Sequence, residues 1–225
     1  MEHRRRVRVS AIHPGRISLE DIPTTSAILG VSLANPTFAG PSLPPLLDWA
    51  TLHFRHVIIL LGDYLERHNI PSADPIVAAD CAMEKAKRLR SHIERCVSRF
   101  PRGRFTLESA NDLMHKATFT TAYNCLLHHY DTNQLFQETV MADVNEYLDR
   151  KPRIIGTTKE ETIRRSVTYI LEELALFSQL VDQGHRVQIY PGRHLRVFTS
   201  LATQQIVTPL AGLNQLICVD VQVGH

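Results

Sequence analysis

The sequence predicts an α/β fold built on a parallel sheet. Two uncharged apolar runs, residues 27–31 and 57–61, are typical of strands that are covered on both faces. A helical pattern of about a dozen residues, 46–56, lies between them. A strand, a helix and a second strand within ~35 residues form a βαβ unit, which implies parallel strands joined by a right-handed crossover.

A long helix is predicted from residue 74 to about residue 100. Asp74 suits the N-cap and Pro75 suits the first helical position, where its missing N–H costs little. Small and apolar residues recur there at helical spacing and predict a buried stripe. The stripe consists of Ala79, Ala82, Ala86, Leu89, Ile93, Cys96, Val97 and Phe100.

The rest of the chain continues the alternation of strands and helices. One helix has the marks of a capping box, with Thr158 at the N-cap and Glu161 three residues later, and Gly184 is its stop signal. The predicted elements are a strand at 105–107, a helical region at 109–149 interrupted near 131–133, a helix from 158 to about 182, a strand at 186–192, a short helix at 195–202 and a strand at 216–221.

Length and composition indicate an ordinary globular protein. The chain has 225 residues, of which 44% are hydrophobic and 21% charged, enough for one domain with a sizeable core. We expect residues 1–25 to form an N-terminal arm, with a weak edge strand at 7–9, and residues 26–225 to form a single domain. The longest apolar run falls far short of the ~20 residues that a membrane-spanning helix needs. Without an apolar region behind the basic start we expect no secretory signal, and a cytoplasmic protein.

The cysteines and histidines do not predict a metal site. The four cysteines are far apart and form no Cys-x-x-Cys pair, which argues against a zinc site and against a disulfide framework. The twelve histidines include no His-Glu-x-x-His motif. We therefore expect a protein without a bound metal.

A strongly basic stretch stands out against the net charge of +2. Residues 85–104 hold eight lysines and arginines and one acid, Glu94. Their spacing aligns cations along the predicted helix, where like charges repel each other by a few tenths of a kcal/mol per pair. The stretch is either a solvated face or a surface that binds phosphates. The helical cations are Lys85, Lys87, Arg88, Arg90, Arg95 and Arg99.

Ser32 is a candidate nucleophile. It follows the first predicted strand, and ligands of open parallel sheets bind at the carboxyl ends of strands. Gly30 lacks a side chain, so another group can approach the backbone closely there. Asn35 and Pro36 then turn the chain away. The alternative is a strand-end serine that bonds its own turn.

Glu173 is a candidate ligand-binding acid on the helix that starts at Thr158. Its neighbours at helical spacing are apolar, and Tyr169 lies one turn before it on the same face. A carboxylate on a buried face needs a cationic partner, either a bound ammonium group or an arginine from elsewhere in the chain. Glu172 points to Arg165 and Gln179, and we expect it to be solvated.

Three motifs in this order resemble those of the tRNA-dependent cyclodipeptide synthases. They are Gly30-x-Ser32-x-x-Asn35, Tyr169-x-x-x-Glu173 and Tyr190-Pro191. With the basic helix, the resemblance covers roughly residues 26–221. It implies a Rossmann-like parallel sheet with helices on both faces, similar to the catalytic domain of class I aminoacyl-tRNA synthetases. The chain lacks His-x-Gly-His and Lys-Met-Ser-Lys-Ser, so no ATP and no other cofactor is expected.

The resemblance also implies roles for these residues. Ser32 would receive the first aminoacyl group, Tyr169 and Glu173 would hold its ammonium, and Tyr190 would position the dipeptidyl group. The product would be a 2,5-diketopiperazine made from two aminoacyl-tRNAs by a ping-pong mechanism through aminoacyl-Ser32 and dipeptidyl-Ser32. Gly30, Asn35 and Pro191 would shape the site, and the basic helix would bind the tRNA. No membrane or metal partner is implied, and the oligomeric state, monomer or homodimer, stays open.

Two features of the sequence concern the branch of the family and the first amino acid. The chain combines Asn35 with Tyr190-Pro191, which belong to different branches of the family, and it has Arg193 where some members carry an acid. Aliphatic residues on the first two strands would line the pocket of the first amino acid and favour an apolar side chain. These are Ile28, Leu29, Leu60 and Leu61.

Two other functions compete with this one. Residues 30–34 differ by one residue from the Gly-x-Ser-x-Gly motif of serine hydrolases, with His185 and His194 as candidate bases. The prolines after Ser32 argue against the helix that such a motif requires at once. A non-catalytic RNA-binding protein would use the basic helix but would leave Tyr169 and Glu173 without a role.

Overall fold

Six strands form one sheet in the computed structural model of the protein, which describes residues 6–72, 74–150 and 157–224. Their order across the sheet is β1-β6-β5-β2-β3-β4, and all neighbours are parallel except β1, which pairs antiparallel with β6. The strands are β1 Val7–His13, β2 Ser26–Val31, β3 His56–Leu61, β4 Phe105–Ser109, β5 Val187–Pro191 and β6 Ile217–Val223.

Helices cover both faces of this sheet. On one face α1 to α3 pack against side chains such as Leu29 and Ile59, and on the other α4 to α8 pack against Ile28 and Ile58. The alternation along each strand thus feeds two separate cores. The α-helices are α1 Pro36–Ala39, α2 Leu43–His53, α3 Pro75–Val97, α4 Ala110–Met114, α5 Ala117–Thr132, α6 Gln134–Arg150, α7 Lys159–Asp182 and α8 Arg196–Ala202.

The local signals for helix ends act largely as predicted. The carboxylate of Asp74 accepts from the backbone N–H of Ile76 at 2.8 Å, so it caps α3. The hydroxyl of Thr158 accepts from the N–H of Glu161 at 3.1 Å and caps α7. Gly184 follows α7 with φ +94°, a left-handed conformation that glycine adopts without strain.

Several boundaries differ from the predictions. Helix α2 spans Leu43–His53, whereas residues 46–56 were predicted. It starts earlier because prolines are tolerated in the first turn of a helix. A one-turn helix, α1, begins at Pro36, four residues after Ser32, and a turn at residues 33–34 separates it from the serine. In α3 the buried stripe uses Ala78 instead of Ala79.

The topology creates a crevice at the carboxyl ends of β2 and β5. From β2 the chain builds the sheet outward through β3 and β4, and then returns to add β5 on the other side of β2. Helices that follow two such strands diverge to opposite faces, which leaves a space between them. Within the predicted N-terminal arm, residues 7–13 form the edge strand β1. Among the described residues, no helix is long and apolar enough to cross a membrane.

Candidate active site

A cavity of about 430 Å³ lies at this crevice. Ser32 enters it directly after β2, and Tyr190 enters it from the end of β5. The adjacent face of α7 contributes Tyr169 and Glu173. The structure therefore brings the four predicted catalytic side chains to the wall of one cavity, although they span 159 positions of sequence from the first to the last.

Ser32 is held by its own turn and lies beside Tyr169 of α7. Its hydroxyl oxygen accepts from the N–H of Ala34 at 3.3 Å. Tyr169 lines the same cavity, and Ser32 lowers the pKa of this phenol only slightly. Burial, followed by the charge of Glu173, raises the pKa of Tyr169 well above its usual value, so this phenol keeps its proton.

Gly30 leaves room for the packing of Phe177 near Ser32. A Cβ at this position would lie 3.3 Å from the ring atom Cζ of Phe177. The absent side chain therefore lets Phe177 close the cavity beneath Ser32, and both residues line the cavity. Leu60 on β3 lines it as well. Ile28 does not, because it points into the core between the sheet and α4 to α8.

Glu173 faces the cavity among apolar side chains. Within the described ranges no lysine, arginine or histidine forms an ion pair with it. Burial, followed by the charge of Asp143, raises the pKa of Glu173 to about 8. Such a group has a high affinity for a proton or for a cation that enters the cavity.

The prediction for the neighbouring acid is wrong, because Glu172 is buried, with 7% of its surface exposed. Its carboxylate binds Nη2 of Arg67 at 2.5 Å and Nε2 of His68 at 2.8 Å. Both partners come from a 3₁₀ helix, Tyr64–Asn69, which follows β3 and packs against α7. An arginine from elsewhere in the chain was one of the two partners considered for Glu173. The structure places such an arginine, Arg67, on the neighbouring Glu172.

Asn35 joins the ends of β2 and β5. Its side-chain oxygen accepts from the N–H of Thr37 at 3.0 Å, which caps α1. Its amide nitrogen donates to the hydroxyl of Tyr190 at 3.3 Å and to the carbonyl oxygen of Pro191 at 3.0 Å. Pro191 itself lies outside the cavity wall and contributes only this carbonyl.

The cations of α3, with Arg99 just beyond its end, divide into paired and unpaired side chains. Lys85 binds the buried carboxylate of Glu66, and Arg99 binds Asp48 at 2.9 Å on α2. Lys87 and Arg90 pair with acids on α3 itself, Glu84 and Glu94. Arg88 and Arg95 complete the predicted set, and neither forms an ion pair within the described part of the chain.

Part of the cavity wall is not predicted by the motifs in the sequence. Helix α6 contributes Asp143, Tyr147 and Arg150, whose spacing of four and three residues places them on one helix face. That spacing was a usable signal. The wall also includes Asn69, Ser166, Gln188, Arg193 and His194.

Comparison with known proteins identifies the family. The sequence profile of the family described as Cyclodipeptide synthase matches residues 24–191, well over half of the chain. The chain belongs to the cyclodipeptide synthase family. Members of this family are tRNA-dependent aminoacyltransferases, so this cyclodipeptide synthase is an enzyme of that class and the predicted resemblance is confirmed. A comparison with curated proteins found no match.

Solved structures confirm the predicted fold of this cyclodipeptide synthase. A cyclodipeptide synthase from Fluoribacter dumoffii is 17% identical, with a TM-score of 0.83 over 98% of this chain and 99% of its own. One from Candidatus Glomeribacter gigasporarum, bound to Phe-tRNAPhe, is 15% identical, with a TM-score of 0.66 over 89% and 88%. Tyrosyl-tRNA synthetase from Archaeoglobus fulgidus is 12% identical, with a TM-score of 0.57 over 90% and 56%. The sheet is thus Rossmann-like, as in type I tRNA synthetases.

Proposed function

We propose that this enzyme joins two aminoacyl groups into a 2,5-diketopiperazine by a ping-pong mechanism, with Ser32 as the covalent nucleophile. The observation that carries this proposal is the convergence of Ser32, Tyr169, Glu173 and Tyr190 on one cavity. Glu173, a buried carboxylate of the cavity that forms no ion pair within the described residues, is the complement of a substrate ammonium group.

The first half-reaction transfers an aminoacyl group to Ser32. The Oγ atom attacks the ester carbonyl of the first aminoacyl-tRNA, the bond to the ribose oxygen breaks, and the tRNA leaves with the hydroxyl proton. The substrate is already an activated ester, which explains why no ATP is needed. The Tyr169 hydroxyl orients Ser32, and Glu173 binds the ammonium group of the incoming aminoacyl chain.

The second half-reaction builds the peptide while it stays on Ser32. For this the amine of the Ser32-bound residue must attack the ester carbonyl of the second aminoacyl-tRNA, which releases the second tRNA. Glu173 has a raised pKa and faces that amine, so it is the base that takes the proton. The new terminal amine then attacks the Ser32 ester, the ring closes, and the serine hydroxyl is restored.

The surface of α3 is proposed to bind the acceptor arm of the tRNA. The relative from Candidatus Glomeribacter gigasporarum that is bound to Phe-tRNAPhe shares the fold. Arg88 and Arg95 are exposed, and within the described residues they have no acid as ion-pair partner, so they suit contacts with phosphates. Lys85 differs from them, because its charge is already balanced by Glu66.

Expression in a bacterium, with mass spectrometry of diketopiperazines in the medium, tests the proposal. The wild type should release a cyclic dipeptide, and Ser32→Ala should release none. Purified protein mixed with one charged tRNA should gain the mass of one aminoacyl group on the peptide that contains Ser32. A Ser32→Ala variant that still forms the cyclic dipeptide would refute the covalent mechanism.

A further inference from the structure

A buried histidine in the cavity wall has no role in the reaction described so far. The Nδ1 atom of His194 is hydrogen-bonded to the carboxylate of Asp220, and the backbone N–H of His194 donates to the same oxygen at 3.1 Å. Its Nε2 atom is the one buried side-chain nitrogen or oxygen without a hydrogen-bond partner among the described residues. A polar atom left unpaired in a protein interior is costly, which points to a use for it.

The aspartate determines which nitrogen of the ring is available. An ionised carboxylate only accepts hydrogen bonds, so Nδ1 of His194 carries the proton and Nε2 carries the lone pair. Burial lowers the pKa of His194, which keeps the ring neutral at neutral pH. Nε2 of His13 lies 3.8 Å from the other oxygen of Asp220. The imidazole of His194 is therefore a fixed, neutral proton acceptor.

Tyr190 lies beside this acceptor in the wall of the cavity. It is the register partner of Asp220 on neighbouring parallel strands, so both side chains leave the same face of the sheet. The rings of Tyr190 and His194 have centroids 5.7 Å apart. The Tyr190 hydroxyl oxygen accepts from Asn35, and its own proton is thus left for a different acceptor.

The proposed reaction needs a second proton acceptor. Two ammonium groups must lose a proton in each turnover, one on each amino acid, and Glu173 serves the first. Asp143 is poorly suited to the second, because its two oxygens accept from the backbone N–H groups of Arg196 and Val197 at 2.7 and 2.8 Å. Burial raises the pKa of Tyr190, so its hydroxyl stays protonated and can pass a proton on but cannot take up a second one.

We infer that His194, oriented by Asp220, accepts the proton of the second amine during ring closure, through the Tyr190 hydroxyl. This inference rests on the proposed function. The ammonium group gives one proton to the Tyr190 oxygen while that hydroxyl gives its own to Nε2. The freed amine attacks the ester carbonyl, the C–N bond forms, and the C–Oγ bond breaks as Oγ of Ser32 takes the second proton of the amine. Nε2 then returns its proton through Tyr190 to water, so each ring closure releases one proton. No co-reactant is consumed.

Rapid-quench kinetics with radiolabelled aminoacyl-tRNA separate this step from the earlier ones. For His194→Gln we expect acylation of Ser32 within about twofold of the wild type. Ring closure should slow by about 100-fold or more, so that dipeptidyl enzyme accumulates. Asp220→Asn should show the same pattern. His185→Gln is the control, since His185 bonds Ser26 at the opposite end of β2.

Added imidazole distinguishes a chemical role from a structural one. In a His194→Gly variant, imidazole should raise the rate of ring closure in proportion to its concentration and leave the acylation rate unchanged. Ring closure by His194→Gln within about threefold of the wild type would overturn the inference, as would equal losses in acylation and ring closure. If His194→Gln does not fold, the same comparison with Asp220→Asn decides. A wild type that never labels Ser32 would instead refute the proposed function.

Discussion

The side-chain amide of Asn35 donates to the hydroxyl of Tyr190 at 3.3 Å, across the crevice between the ends of β2 and β5. The same side chain caps α1 through its oxygen. Asn35→Ala removes both interactions. Loss of the cap should lower the free energy of unfolding by about 1 kcal/mol, and a less ordered Tyr190 should lower kcat. Urea denaturation and steady-state kinetics measure the two effects.

Asn35→Asp separates these two contributions. A carboxylate still accepts from the N–H of Thr37, so the stability should stay near that of the wild type. It cannot donate to Tyr190 or to the carbonyl of Pro191, and kcat should therefore fall as it does in Asn35→Ala. If Asn35→Asp kept full activity, the contact between Asn35 and Tyr190 would have no catalytic role.

The raised pKa of Glu173 predicts how stability depends on pH. In the folded protein this pKa is about 8, above the unfolded value of 4.5, so the folded state holds its proton over that interval. Stability should therefore decrease from about pH 5 to pH 9, by an amount on the order of a few kcal/mol from this group. Glu173→Gln should remove this part of the dependence, as measured by urea denaturation at both pH values.

An exposed acid supplies the control for that measurement. Glu20 is solvent-exposed, so Glu20→Gln changes the net charge by the same amount but should leave the pH dependence of the wild type intact. The interpretation of Glu173 as a desolvated carboxylate is wrong if Glu173→Gln and wild type lose the same stability between pH 5 and pH 9.

The ion pair between Arg67 and the buried carboxylate of Glu172 should be important for stability. Arg67→Met would leave the carboxylate with only His68 as a partner, at a cost of about 3 kcal/mol. Arg90→Met removes an exposed pair with Glu94 and should cost less than about 1 kcal/mol. Equal midpoints of urea denaturation for the two variants would show that the buried pair contributes no more than a surface pair.

Local signals explain how much of the fold was predictable. The apolar runs of β2 and β3 and the Asp74-Pro75 helix start act over a few residues, so the sequence displays them directly. The family resemblance supplied the order of Ser32, Tyr169 and Glu173 along the chain. A shared cavity follows once the strand ends and α7 are adjacent in the fold.

Long-range pairing explains the errors. Glu172 looked solvated because its partners Arg67 and His68 lie more than 100 positions away, and only the packing of the 3₁₀ helix on α7 brings them together. His194 and Asp220 are 26 positions apart and meet because β5 and β6 are neighbours. Periodicity within one helix carries no information on such contacts.

The two unpaired cations of α3 provide the test of the tRNA-binding surface. Arg88→Ala and Arg95→Ala should each raise the KM for aminoacyl-tRNA and leave acylation at saturation unchanged, because a phosphate contact adds affinity without touching the reacting atoms. Each lost contact should reduce the slope of log affinity against log salt by about 0.7–0.9.

Lys87→Ala is the matched control. It removes the same charge one residue away from Arg88, but the side chain of Lys87 already pairs with Glu84. It should change the slope less than Arg88→Ala does. If the double variant Arg88→Ala/Arg95→Ala keeps the wild-type slope, the tRNA binds elsewhere, because phosphate contacts cannot be lost without a change in counterion release.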